Sequence, residues 1–136
     1  MKMPGYVQPS YLPKGMQFSR RTTREFQFGQ ESNPRYFVDD MYQCPGNSND
    51  LFILTQTALY DQNGKSMPSQ ITRNANATIK PVRIKRNQGL MSIDRKRKVS
   101  FLEWTTDSQY ISFMGCDLSS STLLRIARSM RHPRQK

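Results

Sequence analysis

The chain has 136 residues, with 21 Lys and Arg against 10 Asp and Glu, which gives a formal net charge of +11. This length predicts one domain, since it leaves no room for a second core. The positive charge indicates a polyanionic partner, but it does not distinguish nucleic acid from anionic lipid or another anionic polymer. No apolar run approaches the ~18 residues of a membrane span, and the N-terminus lacks the apolar core of a signal peptide. Any segment that targets or anchors the domain outside the cytoplasm is therefore expected to lie outside this chain.

The first half of the chain predicts three strands. Pro and Gly recur near the N-terminus, which predicts an extended lead-in over residues 1–10 and a domain that begins at residue 11. Alternating Thr and Phe predict a strand over residues 22–28, and a second follows over residues 34–44. The turn residues of "PGNSND" separate the second strand from the most apolar short run, residues 51–57, which is typical of a central strand.

The second half predicts the rest of an antiparallel sheet. An Asn63–Gly64 pair marks a loop or loose hairpin, and a later strand ends near Ile84. Residues 87–89, Asn-Gln-Gly, predict a turn before a short strand, and residues 95–98 form a charged connection. Two further strands, "VSFLEW" and "YISFMG", are joined by a hairpin loop. The pattern therefore predicts about six or seven strands.

One amphipathic helix is predicted after the last strand. A serine among residues 119–121 can cap this helix by accepting a backbone N–H bond. Its apolar stripe, at spacing i, i+3, i+4 and i+7, consists of Leu123, Ile126, Ala127 and Met130. Pro133 is expected to end the helix, and residues 133–136 to form a disordered basic tail. The sequence thus predicts a single α+β domain over residues 11–132, in which the helix packs on the sheet.

Two cysteines leave two alternatives open. Cys44 and Cys116 each follow an apparent strand, so a disulfide between them is possible, and two separate thiols are equally compatible with the sequence. Two thiols cannot form a zinc site without further ligands, and the single His132 lies beyond the predicted stripe of the helix. The sequence therefore predicts no metal site and no cofactor.

The acidic residues do not form a recognisable catalytic pair. Asp39 and Asp40 are adjacent on a strand, so their side chains point to opposite faces of the sheet. Glu103 is next to Trp104, and for the same reason it is expected to face away from that ring. The sequence has no G-x-S-x-G elbow, no P-loop and no H-E-x-x-H motif. We therefore predict a protein that is not an enzyme and has no catalytic residues.

Basic residues cluster in the second half of the chain. We expect them to form one surface for an anionic ligand, because the strand before the Asn-Gln-Gly segment and the charged connection after it could lie side by side. The alternative is a set of solvated loops whose charges only keep the domain soluble. The residues of this predicted surface are Arg83, Lys85, Arg86, Arg95, Lys96, Arg97, Lys98, Arg125 and Arg128.

The C-terminal third contains an ordered motif of mixed residue types. A strand with the only Trp is followed by a strand with Tyr and Gly, and then by a helix with Leu-Ser at its start and Ile-Ala-x-Ser inside it. The motif residues are Trp104, Tyr110, Gly115, Leu118, Ser119, Leu123, Leu124, Ile126, Ala127 and Ser129. This pattern resembles the closing motif of a bacterial domain of unknown function, DUF4367. The segments "YLPKGM", "RYFVDDMY", "DLFILTQT" and "VRIKRNQGLMS" are also similar to earlier parts of that domain.

The resemblance implies a curved sheet and a binding role. Domains of this family sit at the extracytoplasmic end of membrane-anchored bacterial proteins, including anti-sigma-factor-like regulators, and in some lipoproteins, and they bring no catalytic residues. The leading hypothesis is thus a non-enzymatic sensory or interaction domain outside the cytoplasm, near a membrane through a segment absent from this chain. Its partner would be an unknown protein or an anionic envelope component. Two alternatives remain: a basic cytoplasmic nucleic-acid-binding protein, and an envelope carrier of lipid or peptide.

Overall fold

A computed structural model describes residues 7–27, 34–71 and 77–132, with the side chains of residues 47–49 left out of the description. Within these ranges the chain forms nine strands and one helix. In chain order they are β1 Gln8–Pro9, β2 Gln17–Phe26, β3 Arg35–Cys44, β4 Asn47–Ala58, β5 Ala77–Ile84, β6 Asn87–Asp94, β7 Val99–Thr105, β8 Gln109–Cys116, α1 Ser120–Arg128 and β9 Met130–Arg131.

Seven strands form one open, curved antiparallel sheet in the order β2-β3-β4-β8-β7-β6-β5. Two runs of sequential hairpins, β2-β3-β4 and β5-β6-β7-β8, meet where β4 pairs with β8. With α1 near the C-terminus, this confirms the predicted α+β fold and the strand number. The strand predicted over residues 22–28 begins earlier than expected, since β2 starts at Gln17, and Phe28 lies outside the described residues.

The main core lies between the sheet and α1. Leu54, Phe113 and Leu102 are paired across β4, β8 and β7, and none of the three is accessible to solvent. We call the side of the sheet that carries these residues the helix face. The predicted stripe of α1 packs there: Leu123 and Ile126 are fully buried, as are Ala127 and nearly all of Met130. The helical spacing of Leu123, Ile126 and Ala127 therefore identified the buried side of α1, whereas Met130, predicted as part of the same stripe, lies in β9 after the helix has ended.

The N-terminus of α1 is capped as predicted. Ser119 is the N-cap, and its hydroxyl accepts a hydrogen bond from the backbone N–H of Thr122 at 3.2 Å. This bond satisfies one of the N–H groups that have no partner within the helix. The basic side chains Arg125 and Arg128 occupy the last turn, where the helix dipole favours cations.

The helix ends earlier than predicted. It stops at Arg128, and not at Pro133, because Ser129 turns the chain into β9. The Ser129 hydroxyl donates to the Ile126 carbonyl at 2.6 Å and accepts the Tyr11 N–H at 3.0 Å. The end of the helix and the lead-in are therefore fastened together, and β9 pairs with β1.

The described part of the lead-in is built into the domain. Residues 7–10 are extended, as predicted, but they contain β1 and lie against the helix face. The fully buried amide of Gln56 accepts the Val7 N–H at 2.9 Å and donates to the Val7 carbonyl at 2.8 Å. The predicted basic tail over residues 133–136 lies outside the described residues.

The turn before β6 lies two residues earlier than predicted. Lys85 and Arg86 form it, with Lys85 at φ 56°, and Ile84 pairs with Asn87. Gly89 is inside β6, where a Cβ would lie 2.5 Å from the Glu103 carbonyl oxygen. Gly is thus needed here for the close approach of β6 to β7, and not for a turn.

The two cysteines do not form the disulfide that the sequence left open. Cys44 and Cys116 are both free thiols. Their strands, β3 and β8, are separated by β4, a distance of about 10 Å across two inter-strand steps. Cys44 packs against the core of the helix face, whereas Cys116 is paired opposite Leu51 on the other face.

A buried carboxylate lies on the helix face at β3. Asp40 is fully buried and accepts two hydrogen bonds from Arg21, at 2.7 and 3.0 Å. Desolvation raises the pKa of Asp40 above 3.8, and the Arg21 guanidinium opposes this effect only in part. Asp39 points to the opposite face, as predicted for neighbouring residues on a strand.

We expect Ile126→Asp to unfold the domain. The change removes a fully buried side chain and introduces a carboxylate without a partner, at a cost of more than about 3 kcal/mol. Urea unfolding followed by circular dichroism measures the loss. Ser121→Asp is the control, because that residue is exposed in the first turn of α1, where a negative charge is favourable. An Ile126→Asp protein with the parent stability would contradict the packing of α1.

We expect Asp40→Asn to change how stability depends on pH. Because the pKa of Asp40 is raised in the folded state, the folded protein holds this proton more tightly than the unfolded chain does. The parent protein should therefore lose stability relative to the Asp40→Asn variant as pH rises from 3.8, by at most about 1.4 kcal/mol per pH unit. Urea titrations between acid and neutral pH measure this difference. The prediction would be contradicted if the difference in unfolding free energy between the two proteins stayed constant with pH, or if the parent gained stability relative to the variant as pH rose.

Candidate functional site

An apolar row crosses the side of the sheet that faces away from α1. Met41, Ile53, Met114 and Phe101 are directly paired from strand to strand across β3, β4, β8 and β7. Met114 is 37% exposed and the other three are half-buried. A neighbouring row, with Leu51, Cys116 and Val99, is also partly accessible to solvent.

Residues 66–71, between β4 and β5, pass over this side of the sheet as a strap. We therefore call this side the strap face. Met67 is the deepest residue of the strap and packs between Phe37 and Tyr110 in a small separate core. A turn that closes with a hydrogen bond from the Gly64 N–H to the Asp61 carbonyl at 3.0 Å precedes the strap, which agrees with the predicted loose hairpin.

A buried arginine fixes the base of the strap. Arg35, at the start of β3, is only 5% exposed. Its guanidinium donates to the backbone carbonyls of Ala58, Leu59 and Lys65, at 3.0, 3.2 and 2.6 Å. These bonds join β3 to the chain segment that leads into the strap, so Arg35 holds the start of the strap in place.

Glu103 fixes the other end of the strap to the sheet. Its carboxylate accepts hydrogen bonds from the Ser69 hydroxyl, from the Gln70 N–H at 2.8 Å and from the Tyr110 hydroxyl at 2.8 Å. Burial, together with the neighbouring Glu103 charge, raises the pKa of Tyr110, so the phenol remains a donor throughout the neutral range. Glu103 is 6% exposed, and three donors compensate for the loss of hydration of its carboxylate.

The strap leaves a cleft on each side of itself. The β2-side cleft has a volume of about 580 Å³ and the β5-side cleft about 550 Å³, and Met67 and Tyr110 line both. These volumes fall within the range typical of small-molecule sites. The apolar residues that line the β2-side cleft are Phe26, Phe37, Met41, Ile53, Met67, Phe101 and Met114.

Charged groups border the β2-side cleft at β2 and β3. Arg24 donates to Asp39 at 2.7 Å, and its guanidinium lies 4.4 Å from the centre of the Phe37 ring. Asp39 also accepts the Thr55 hydroxyl at 2.7 Å. Arg20, opposite Met41 in the register, lies at the same border and makes no ion pair within the described ranges.

The structure does not bring the nine predicted basic residues into one surface. Residues 83–86 lie around the turn at one end of β6, and residues 95–98 form the turn at its other end. An eight-residue strand separates the two groups by about 26 Å. The two groups therefore do not lie side by side as predicted, because a strand that links two hairpins places its two turns at opposite ends of the sheet.

The two arginines of α1, Arg125 and Arg128, also lie in different places. Arg128 donates to the Arg83 carbonyl at 3.1 Å, and Lys85 donates to the Met130 carbonyl, so these residues form one basic group with Arg86 nearby. Arg125 instead stacks over the Tyr11 ring, 4.0 Å from its centre. The turn at residues 95–98 borders a separate depression beside the N-terminus of α1.

The motif residues have mainly structural positions. Trp104 is buried on the helix face and Gly115 lies against Leu123, where a Cβ would be 3.3 Å from its Cδ1 atom. Tyr110 is the exception, since it faces the strap and both clefts. Sequence reasoning missed the roles of Arg35 and Glu103. For Glu103 a signal was present, since it is the one charged residue in the apolar strand β7.

The described residues contain neither a metal site nor a membrane-spanning helix. No group of three or more His, Cys, Asp or Glu side chains in that part of the chain is placed to hold a metal ion. No helix among the same residues is long and apolar enough to cross a membrane.

Comparison with known protein families places the chain in one of them. The family model described as Domain of unknown function (DUF4367) matches residues 6–130, which confirms the resemblance seen in the sequence. The match covers β1 to β8, α1 and the first residue of β9. The search of curated proteins finds no match.

We expect Glu103→Gln to open the strap without unfolding the sheet. The neutral amide offers one acceptor oxygen in place of two and lacks the charge of the carboxylate, so the hydrogen bonds that hold Ser69 and Gln70 weaken, at a cost of about 1–3 kcal/mol. Amide hydrogen exchange should become faster at Gln70 and remain slow at Phe113 in the centre of the sheet. Glu25→Gln, at an exposed site, is the control. Unchanged exchange at Gln70 would show that Glu103 does not hold the strap.

Proposed function

Since the chain belongs to the DUF4367 family, whose description assigns no activity, we propose its function from the strap face. We propose a non-enzymatic binding domain that holds a ligand in the β2-side cleft, between the apolar row and the strap. We further propose that it acts outside the cytoplasm, as the sensory or interaction part of a membrane-anchored bacterial regulator or a lipoprotein. This location rests on the resemblance to the family.

The observation that supports a binding role is the uneven cover of the sheet. On the helix face, α1 and the lead-in bury the apolar side chains at the centre of the sheet, on β4, β8 and β7, and of the described apolar side chains only those near the β2 edge, such as Phe18, remain exposed. On the strap face, Met67 covers the part around Phe37 and Tyr110, while the row from Met41 to Phe101 borders an open cleft. An accessible apolar cleft with a few polar groups at its border is typical of a ligand site.

The acidic groups of the strap face support a non-enzymatic role. Both oxygens of Glu103 accept hydrogen bonds from the strap or from Tyr110. Both oxygens of Asp39 are engaged by Arg24 and Thr55. These carboxylates already have structural partners, so their arrangement favours holding the strap and the sheet edge in place over general acid or base chemistry.

Of the two alternatives, the envelope carrier fits this cleft and the nucleic-acid-binding protein has less support. A carrier of lipid or peptide would use the same apolar row, so it differs from our proposal in biological role and not in the binding site. Nucleic-acid binding by the predicted basic surface would need its residues together, whereas β6 separates them into two groups. Two distant groups of basic residues form a weaker basis for one phosphate-binding interface than a single continuous surface would.

A neutral apolar fluorophore tests the proposed site. N-phenyl-1-naphthylamine should bind the full chain saturably, and Phe26→Ser should weaken binding about tenfold, because Phe26 lines the β2-side cleft. Phe18→Ser is the matched control. Phe18 is also on β2 and is 49% exposed against 47% for Phe26, but it contacts Tyr42 on the helix face. Fluorescence titration of the three proteins measures the affinities.

The control separates the cleft from the rest of the surface. Equal loss of affinity in both variants would indicate binding elsewhere or a general loss of stability, and it would contradict the proposal. Absence of saturable binding in the parent protein would also contradict it. Selective loss in Phe26→Ser would support the β2-side cleft as the binding site.

A further inference from the structure

We propose that the β2-side cleft takes a single-chain amphiphile with a carboxylate head group. Its chain would lie across the strands, along Met41, Ile53, Met114 and Phe101, and its head group would contact Arg20. This inference rests on the proposed function and adds to it the chemical class and the orientation of the ligand.

The direction of the apolar row supports a linear ligand. Its four residues are directly opposed on consecutive strands, so they form a straight path perpendicular to the strands. From Phe101 to Arg20 the path crosses four inter-strand steps, about 19 Å. This length suits an extended long-chain acyl group better than it suits a compact ligand.

The next row towards the strap confines the chain on one side. Asp39, Thr55 and Ser112 are paired across β3, β4 and β8, and all three line the same cleft. Their polar groups disfavour a second apolar chain beside the first, because it would remove water from the Asp39 carboxylate and its partners. The cleft therefore fits one chain along the apolar row.

The positive charge of Arg20, at the β2 end of the apolar row, favours an acidic head group on the ligand. Arg24 and Asp39 neutralise one another through a hydrogen bond of 2.7 Å. Arg20 adds a positive charge that no described carboxylate neutralises, and it lies directly after Met41 in the row. A guanidinium offers parallel N–H donors that match a carboxylate, so an acidic head group complements this end of the cleft.

Paired ligands of equal chain length test this orientation. Tetradecanoate and tetradecanol compete with N-phenyl-1-naphthylamine for the full chain at concentrations where both remain monomeric. We expect the acid to bind about tenfold more tightly than the alcohol, because a hydrogen bond to a charged group is worth more than one to a neutral group. Equal affinities would overturn the head-group assignment.

Two substitutions separate the head group from the chain. Arg20→Gln should lower the affinity for the acid about tenfold and leave that for the alcohol nearly unchanged. Met114→Gln should lower both affinities by similar factors, because it changes the apolar row that both ligands share. Loss of the alcohol affinity in Arg20→Gln would overturn the assignment, since it would show that the residue acts through structure and not through charge.

Matched controls exclude general effects of charge and hydropathy. Arg86→Gln removes the same charge from the turn before β6, outside the cleft, and should leave the preference for the acid intact. Leu90→Gln alters a residue on the strap face that is 37% exposed, like Met114, but it lies across the strap from the row and should leave both affinities intact. A loss of preference in Arg86→Gln equal to that in Arg20→Gln would overturn the role of Arg20.

The outcomes also distinguish this inference from the proposed function. If the fluorophore binds the cleft but neither tetradecyl ligand displaces it, the cleft is a binding site and the amphiphile assignment is wrong. If displacement occurs without preference for the acid, the apolar row is correct and the head-group assignment is wrong. If the fluorophore does not bind, the proposed function and this inference are both contradicted.

Discussion

The pairing of β4 with β8 is the interaction on which the rest of the structure depends. It runs from Leu51–Cys116 to Ala58–Gln109 and joins two sets of hairpins that are otherwise local in sequence. Without it the chain would have a three-stranded and a four-stranded sheet, and Leu54 and Phe113 would lie on their edge strands. With it, Leu54 and Phe113 form the centre of one core, and the sheet acquires two faces that must each be covered.

The two faces are covered by different means, and this difference creates the candidate site. A helix with a continuous apolar stripe covers the helix face, and the lead-in extends that cover through Gln56. The strap covers the other face with little more than Met67, and it is held by hydrogen bonds to Arg35 and Glu103. Hydrogen bonds fix the path of the strap, but they do not fill the space beside it with apolar side chains. Open clefts therefore remain on both sides of the strap.

Two Asp–Arg ion pairs join β2 to β3, one on each face of the sheet. Asp40 and Arg21 join β2 to β3 on the helix face, where burial raises the pKa of the carboxyl. Asp39 and Arg24 do the same on the strap face, beside the cleft. Neighbouring residues of a strand point to opposite faces of the sheet. Asp39 and Asp40 therefore each hold an arginine of β2, one on the strap face and one on the helix face. Arg20, which lines the same cleft, makes no ion pair with the described carboxylates.

The sequence by itself determined the elements and the buried side of α1. Alternation predicted the strands, spacing predicted the stripe around Ile126, and Ser119 was within the predicted cap, since these signals depend on residues a few positions apart. The tertiary structure alone decided which turns lie together, as the split of residues 83–86 from 95–98 shows. It also decided the end of α1, where Ser129 meets Tyr11, and the strap, where Ser69 and Gln70 meet Glu103. These contacts join residues more than thirty positions apart, and local pattern cannot encode them because strand order and register fix which distant side chains become neighbours.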